Sequence, residues 1–386
     1  MRILIITVLM TLLFMSCSQK DKISPMKTTS ESYTMIVGTY TQKEGHVNGK
    51  AEGIYLGYFD SANENINITD TITGIINPSY AIVHPNGKTI YAVSELAGDL
   101  PIGKVYAFTK SANDQPFRKV SELPTYGNAP CHIHIDKAHD RLYVVNYMGG
   151  IINYGLSEDG SIMADPQIIT YKGGIEGSIR QSAPHPHMAQ SIENKVFVSD
   201  LGTDEIITYN VTENKLLEES IRTKLALGSG PRHFIYHSSN KKIYVMNELN
   251  LTIDAYDIGE NKIEKSQTIA LHNGLKDAAG QSGSAIKIHP SGNHLYAGMR
   301  APNGSMDNTI QHFSILKNGT IQHAGSTYTK GSVPRDFEIS PDGKYLLVAN
   351  QNSDNIVIFS IDESNGNLAD TGKEITVKTP VSIKFF

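Results

Sequence analysis

Arginine, histidine and glutamate recur in this chain at places where they could act together. GSGPRHFIYHSSNKKIYVMNEL, residues 228–249, carries Arg232 and His233 at its start and Glu248 at its end. SAPHPHMAQ carries His185 and His187, preceded by Arg180 and Gln181. HLYAGMR ends at Arg300, and VPRDFEIS opens with Arg335 beside its proline. A guanidinium grips carboxylate or phosphate oxygens in a planar fork. A neutral imidazole takes and returns protons near neutral pH. Taken singly, Arg232 and Glu248 would be an ordinary ion pair at strand ends, contributing little, and His185 and His187 could simply cap loops. The functional reading depends on whether the fold gathers these residues.

A repeat gathers them. Pro78, Pro130, Pro186, Pro231, Ser284, Pro334 and Pro380 mark starts of similar segments spaced 45 to 56 residues apart. Each segment has an apolar strand, a turn such as HPNGK or SPDGK, a second strand rich in Tyr, Val and Leu, a third strand and a polar fourth. Four antiparallel strands per such period describe a β-propeller blade. Seven marks predict seven blades in an all-β protein. The last mark leaves room for one strand, PVSIKFF, and the first is preceded by three unclaimed strands, so the N-terminal strands should complete the blade of the C-terminal strand. That pairing closes the ring and removes exposed edges. The chain has no Trp, which argues against WD-type repeats.

In a hairpin the start of the first strand and the end of the second share an edge. Arg232, Glu248, Arg300, Arg335, His185 and His187 should therefore meet at one mouth of the central channel. Several arginines against one glutamate suggest surplus positive charge, hence an anionic ligand. Arg232 reads as a rim residue whose loss should leave the fold nearly intact. A metal on His185 and His187 with Asp200 is a rival use of the PHPH segment, but no second cysteine or acidic cluster supports it. No metal and no cofactor are assigned. No G-x-S-x-G elbow is present.

Composition narrows the classes. The chain has 386 residues, a net charge of −5 and no basic stripe, which argues against nucleic acid as a partner. Residues 1–17 combine Arg2, the apolar run ILIITVLMTLLFM, and Ser16-Cys17. This order resembles a bacterial lipoprotein signal, in which Cys17 is lipidated and becomes the mature N-terminus. Residues 18–32 read as a polar tether, and 33–386 as the propeller. The expected location is exported and membrane-anchored, facing the periplasm or cell surface, with membrane contact only through the lipid. The one other cysteine, Cys131, reads as a packed thiol.

GSGPRHFIYHSSNKKIYVMNEL, RQSAPHPHM, VVNYMGG, SDLGTDEI and PRDFEISPDGKYLLVANQNSDNI together resemble the seven-bladed propeller lactonases, the family of propeller-type 6-phosphogluconolactonases and carboxy-muconate cyclases. The resemblance runs from about Tyr33 to Phe386. It implies a catalytic set at His187, Arg232, Glu248 and Arg300, acting on a small anionic lactone. Arg180, Gln181, His185, His233 and Arg335 are then candidates for substrate binding. His187 or Glu248 could be the base. The alternatives are a lactone-forming cyclase and an exported non-catalytic propeller that binds a ligand or acts as a scaffold.

Overall fold

The computed structural model describes residues 31–386 apart from 46, 101, 113–114, 139, 261, 273–279 and 302–307. The expected lipoprotein signal with Cys17, and nearly all of the expected tether, lie outside the described residues. Among the described residues there are seven four-stranded antiparallel sheets. The innermost strands of blades 1 to 7 are Ala81–Val83, Asn128–Asp136, Pro186–Ile192, Pro231–His237, Ser282–Ile288, Pro334–Ile339 and Pro380–Phe385. Blade 7 is composite. Pro380–Phe385 pairs with Ser32–Thr39, with Met35 opposite Phe385 and Gly38 opposite Ser382. A short extra hairpin, Lys43–Glu44 with Val47–Asn48, follows the first strand.

Burial follows position in the blade. Second strands such as Lys242–Asn247 are buried at every residue. Neighbouring blades cover both of their faces, so they read as continuous apolar runs. Fourth strands such as Ile263–Ala270 alternate exposed and half-buried residues. The core lies between blades. Tyr244 and Met246 of blade 4 pack with Leu295 and Phe313 of blade 5, and Met35 and Val37 of blade 7 with Leu347 and Ile356 of blade 6.

A tyrosine latch also joins successive blades. Tyr91 donates to the Gly160 carbonyl at 2.5 Å, Tyr244 to Gly319 at 2.8 Å and Tyr296 to Gly366 at 2.6 Å. Each glycine belongs to the next blade. Gly366 has φ +75°, and a Cβ there would stand 2.5 Å from His294 Nδ1 and 2.7 Å from His312 Nε2. Glycine is needed both for the backbone and for the space.

Tyr296→Phe leaves one buried carbonyl without its donor and should cost about 1 kcal/mol, lowering the melting temperature by roughly 1–3 °C. Gly366→Ala adds backbone strain and a clash with two imidazoles, and should lower it further. Calorimetric scans of the two variants check the order; an unchanged melting temperature for Gly366→Ala would contradict it.

Candidate functional site

The inner strands bear a repeated irregularity. Their pairing slips between Pro130 and His132, Pro186 and Met188, Pro231 and Phe234, and Pro334 and Asp336. A bulge of this kind re-aims the side chains it carries. The residues at these slips are Cys131, His187, Arg232 with His233, and Arg335. Four of these five line one cavity of about 640 Å³, and His233 lies beside it, in ring contact with His187. The cavity wall also holds Arg180, Glu248 and Arg300.

The approach to Arg232 is fixed locally. Gly230 has φ +61°, and a Cβ on it would lie 2.4 Å from Leu249 Cγ. Asp204 accepts hydrogen bonds from Gly228 N and Gly230 N, each at 2.7 Å, and so clamps the turn. Arg232 Nη1 donates to the Ser284 carbonyl at 2.7 Å, and Ser199 Oγ donates to the Arg232 carbonyl at 2.6 Å. Blades 3 and 5 thereby hold the strand of blade 4 between them.

Glu248 is the hub. Its Oε1 is 2.6 Å from Arg180 Nη2, and its Oε2 is 2.9 Å from Arg300 Nη2 and 3.2 Å from Arg232 Nε. Burial alone would raise this carboxyl, but Arg300, Arg232 and Arg180 outweigh it and hold it at about 2. The partners do not shift symmetrically. Burial first, then Arg300 and Arg335, pushes Arg232 down to about 9, against the opposing pull of Glu248. Arg232 stays charged at neutral pH, at some electrostatic cost, as expected for a site short of anions.

The opposite wall holds a second pair. Arg335 Nη2 lies 3.3 and 3.4 Å from the two carboxylate oxygens of Glu95, and its guanidinium stands 5.4 Å from the Tyr40 ring. The surplus of positive charge is thus smaller than the sequence suggests. Glu44, Glu95 and Glu248 face four arginines, and the excess is concentrated around Glu248.

His187 is buried and neutral. Burial, then Arg232 and Arg335, holds it well below the usual histidine range. Its Nδ1 is 3.9 Å from Cys131 Sγ, a thiol that is buried and itself pushed upward, first by burial. Inward from His187, the rings of His187 and His233 are 5.2 Å apart, and those of His233 and His132 5.9 Å. Beyond them Lys287 and Lys384 pair with Glu338 and Asp336. The channel interior is therefore charge-balanced and its mouth is not.

The remaining candidates serve the frame. Gln181 Nε2 donates to the Leu201 carbonyl at 2.8 Å and to Asp204 at 2.7 Å, away from the cavity. His185 stacks on Tyr147 with ring centroids 4.3 Å apart, and Asp200 accepts from His185 N and Gly202 N. Among the described residues no group of three or more His, Cys, Asp or Glu could hold a metal. Arg232 is not a rim residue: its side chain is 2% exposed, against 50% for Arg180. Its removal should cost stability as well as function, because it leaves a void in a buried wall and the Ser284 carbonyl without its donor.

Glu95 escaped the sequence reading although a signal existed. Aligning the repeats sets YAVSEL of blade 1 on YVMNEL of blade 4, which puts Glu95 in the position of Glu248.

Stability should fall in mild acid. Burial holds His132, His187 and His233 well below the ordinary range and His134 at about 4. The unfolded chain takes up protons at these positions below about pH 6.5, and the folded one does not. Their contribution is complete above pH 6.5 and lost progressively as pH falls toward 4. The melting temperature should drop between pH 7 and 5.5, before ordinary carboxylates titrate; a flat profile there would contradict this.

Comparison with known proteins agrees with the geometry. Residues 34–385 match the family model of the seven-bladed β-propeller lactonases. A 6-phosphogluconolactonase of Formosa agariphila is 33% identical over 91% of this chain and 99% of its own length. The 6-phosphogluconolactonase of Bacillus subtilis is 28% identical over 92% and 98%. A solved structure from Bacteroides fragilis, a candidate 6-phosphogluconolactonase, superposes with a TM-score of 0.82 at 32% identity, covering 94% of this chain and all of that one. The chain belongs to the seven-bladed β-propeller lactonase family.

Proposed function

We propose that the protein hydrolyses an anionic lactone of the sugar-acid type, in the manner of a 6-phosphogluconolactonase. The observation that carries this reading is the buried Glu248 carboxylate shared by three guanidiniums beside a neutral imidazole. His187 accepts a proton from water as the water oxygen attacks the lactone carbonyl. Arg232 or Arg300 faces the resulting oxyanion. The ring C–O bond then breaks, and the proton on His187 passes to the departing alkoxide. Glu248 is a poor base at about 2 and serves to aim the arginines. An anionic substrate offsets the charge of Arg232, Arg335 and Arg300, which is part of what depresses His187. Binding therefore lifts the imidazole by the part the arginines contribute, while burial, the larger cause, remains. The same groups run in reverse would close a lactone ring.

The N-terminal signal supports export as a lipoprotein, with Cys17 carrying the lipid. No helix among the described residues is long and apolar enough to cross a membrane.

Two experiments test these readings. Hydrolysis of 6-phosphoglucono-δ-lactone and of glucono-δ-lactone, followed by acid release, should favour the phosphorylated compound. Arg300→Ala should lower kcat/KM by about 10²–10³, and Arg232→Ala should do the same while also melting several degrees lower. Wild-type turnover in both variants would remove these arginines from the mechanism. Separately, Cys17→Ser should move the protein from the membrane fraction to the soluble one; retention in the membrane would overturn the lipid anchor.

A further inference from the structure

The cavity has two unlike walls. Around Glu248 lie three guanidiniums against one carboxylate. Across the mouth, Arg335 is already matched by Glu95, and Glu44 adds a second carboxylate to the same lining. The Glu95 pairing is loose. Its two contacts with Arg335, at 3.3 and 3.4 Å, are long for a charged pair, and they come from a single nitrogen rather than a fork. The Glu95 side chain is 12% exposed, and it lines the cavity. The Tyr40 hydroxyl also hydrogen-bonds Glu95, and a carboxylate with about four acceptor sites keeps capacity beyond these two partners.

Gln351 adds to this. It lines the cavity and is 2% exposed, and its Nε2 donates to Asn352 Oδ1 at 2.9 Å. Its Oε1 has no hydrogen-bond partner among the described residues. A buried acceptor without a donor is costly, and a ligand can supply what the protein does not. Gln351 and Glu95 each follow the second strand of their blade, Tyr345–Asn350 and Thr89–Ser94, as Glu248 follows Lys242–Asn247. The repeat therefore puts acceptors on one side of the mouth in the position where the other side has the arginine hub.

We propose that Glu95, with Gln351, binds substrate hydroxyl groups and sets specificity for a polyhydroxylated lactone, and that Arg335 is the positioning residue that holds Glu95 in place. Resting on the anionic-lactone reading, this deepens it: the acid or phosphate group lies toward Glu248, and the hydroxyl-bearing carbons lie along Glu95 and Gln351. A hydroxyl donates to a carboxylate, so a substrate lacking these hydroxyls leaves Gln351 Oε1 unsatisfied and the spare acceptor sites of Glu95 unused in a largely buried wall. Sites of this kind reject the deoxygenated analogue strongly.

Calorimetric binding tests this without requiring turnover. The probes are 6-phosphogluconate and 6-phosphohexanoate, which carry the same carboxylate and phosphate but differ in hydroxyls. Wild type should prefer 6-phosphogluconate by about tenfold to a hundredfold. Glu95→Gln should cut that preference about tenfold, and Gln351→Ala should cut it by less. Equal preference in wild type and both variants, or no preference in wild type, would overturn the proposal. If wild type binds neither probe, the anion site falls with it. If it binds 6-phosphogluconate with the expected preference but hydrolyses neither gluconolactone, the hydroxyl wall stands and the hydrolytic reading is the one that fails.

Discussion

A single buried carboxylate organises the mouth of this propeller. Glu248 has a side chain 2% exposed and touches guanidiniums that arrive from three places: the loop before blade 3, the inner strand of blade 4 and the second strand of blade 5. Without it these cations would repel one another at close range in a poorly solvated space. With it they converge, but they are not neutralised. On the proposed function an anionic ligand would relieve this positive potential, which adds to burial, the larger cause, in holding His187 neutral.

The fold makes this arrangement by repetition. Each inner strand begins at the mouth, and in blades 2, 3, 4 and 6 the residues after the opening proline sit where the pairing slips. The slip exempts those side chains from the strict alternation of a strand. One local device thus delivers a thiol, an imidazole and two guanidiniums to a common space. Glu95, Glu248 and Gln351, each just past a second strand, reach the same mouth because a hairpin's second strand ends where its first begins. The blades carry the structural load through cores between sheets and through latches such as Tyr296 to Gly366. The mouth is then free to vary in chemistry.

Much of this was legible in the sequence because it depends on order along the chain. The spacing of the proline marks gives seven blades, and the geometry of a hairpin puts Arg232 next to Glu248. What was not legible depends on depth and on partners far away in sequence. Arg232 reads as a rim residue, and only the slip after Pro231 and the covering blades show it buried. Glu95 meets Arg335 across 240 positions, which neither residue's neighbours reveal. Gln181 and His185 stand close to Arg180 and His187 in sequence, yet they point into the loop frame, held by Asp204 and Tyr147. Proximity along the chain does not decide which side of a loop a side chain takes.

On the proposed mechanism, an anion entering the arginine cluster raises the basicity of His187. Proton uptake on binding measures this directly. Calorimetry of 6-phosphogluconate binding near pH 6, repeated in buffers of different ionisation enthalpy, reports the number of protons exchanged. The ligand phosphate also exchanges protons near this pH, so the reading is the difference between proteins: wild type should take up a fraction of a proton more than His187→Gln. Equal proton exchange in the two would overturn the link between anion binding and the imidazole.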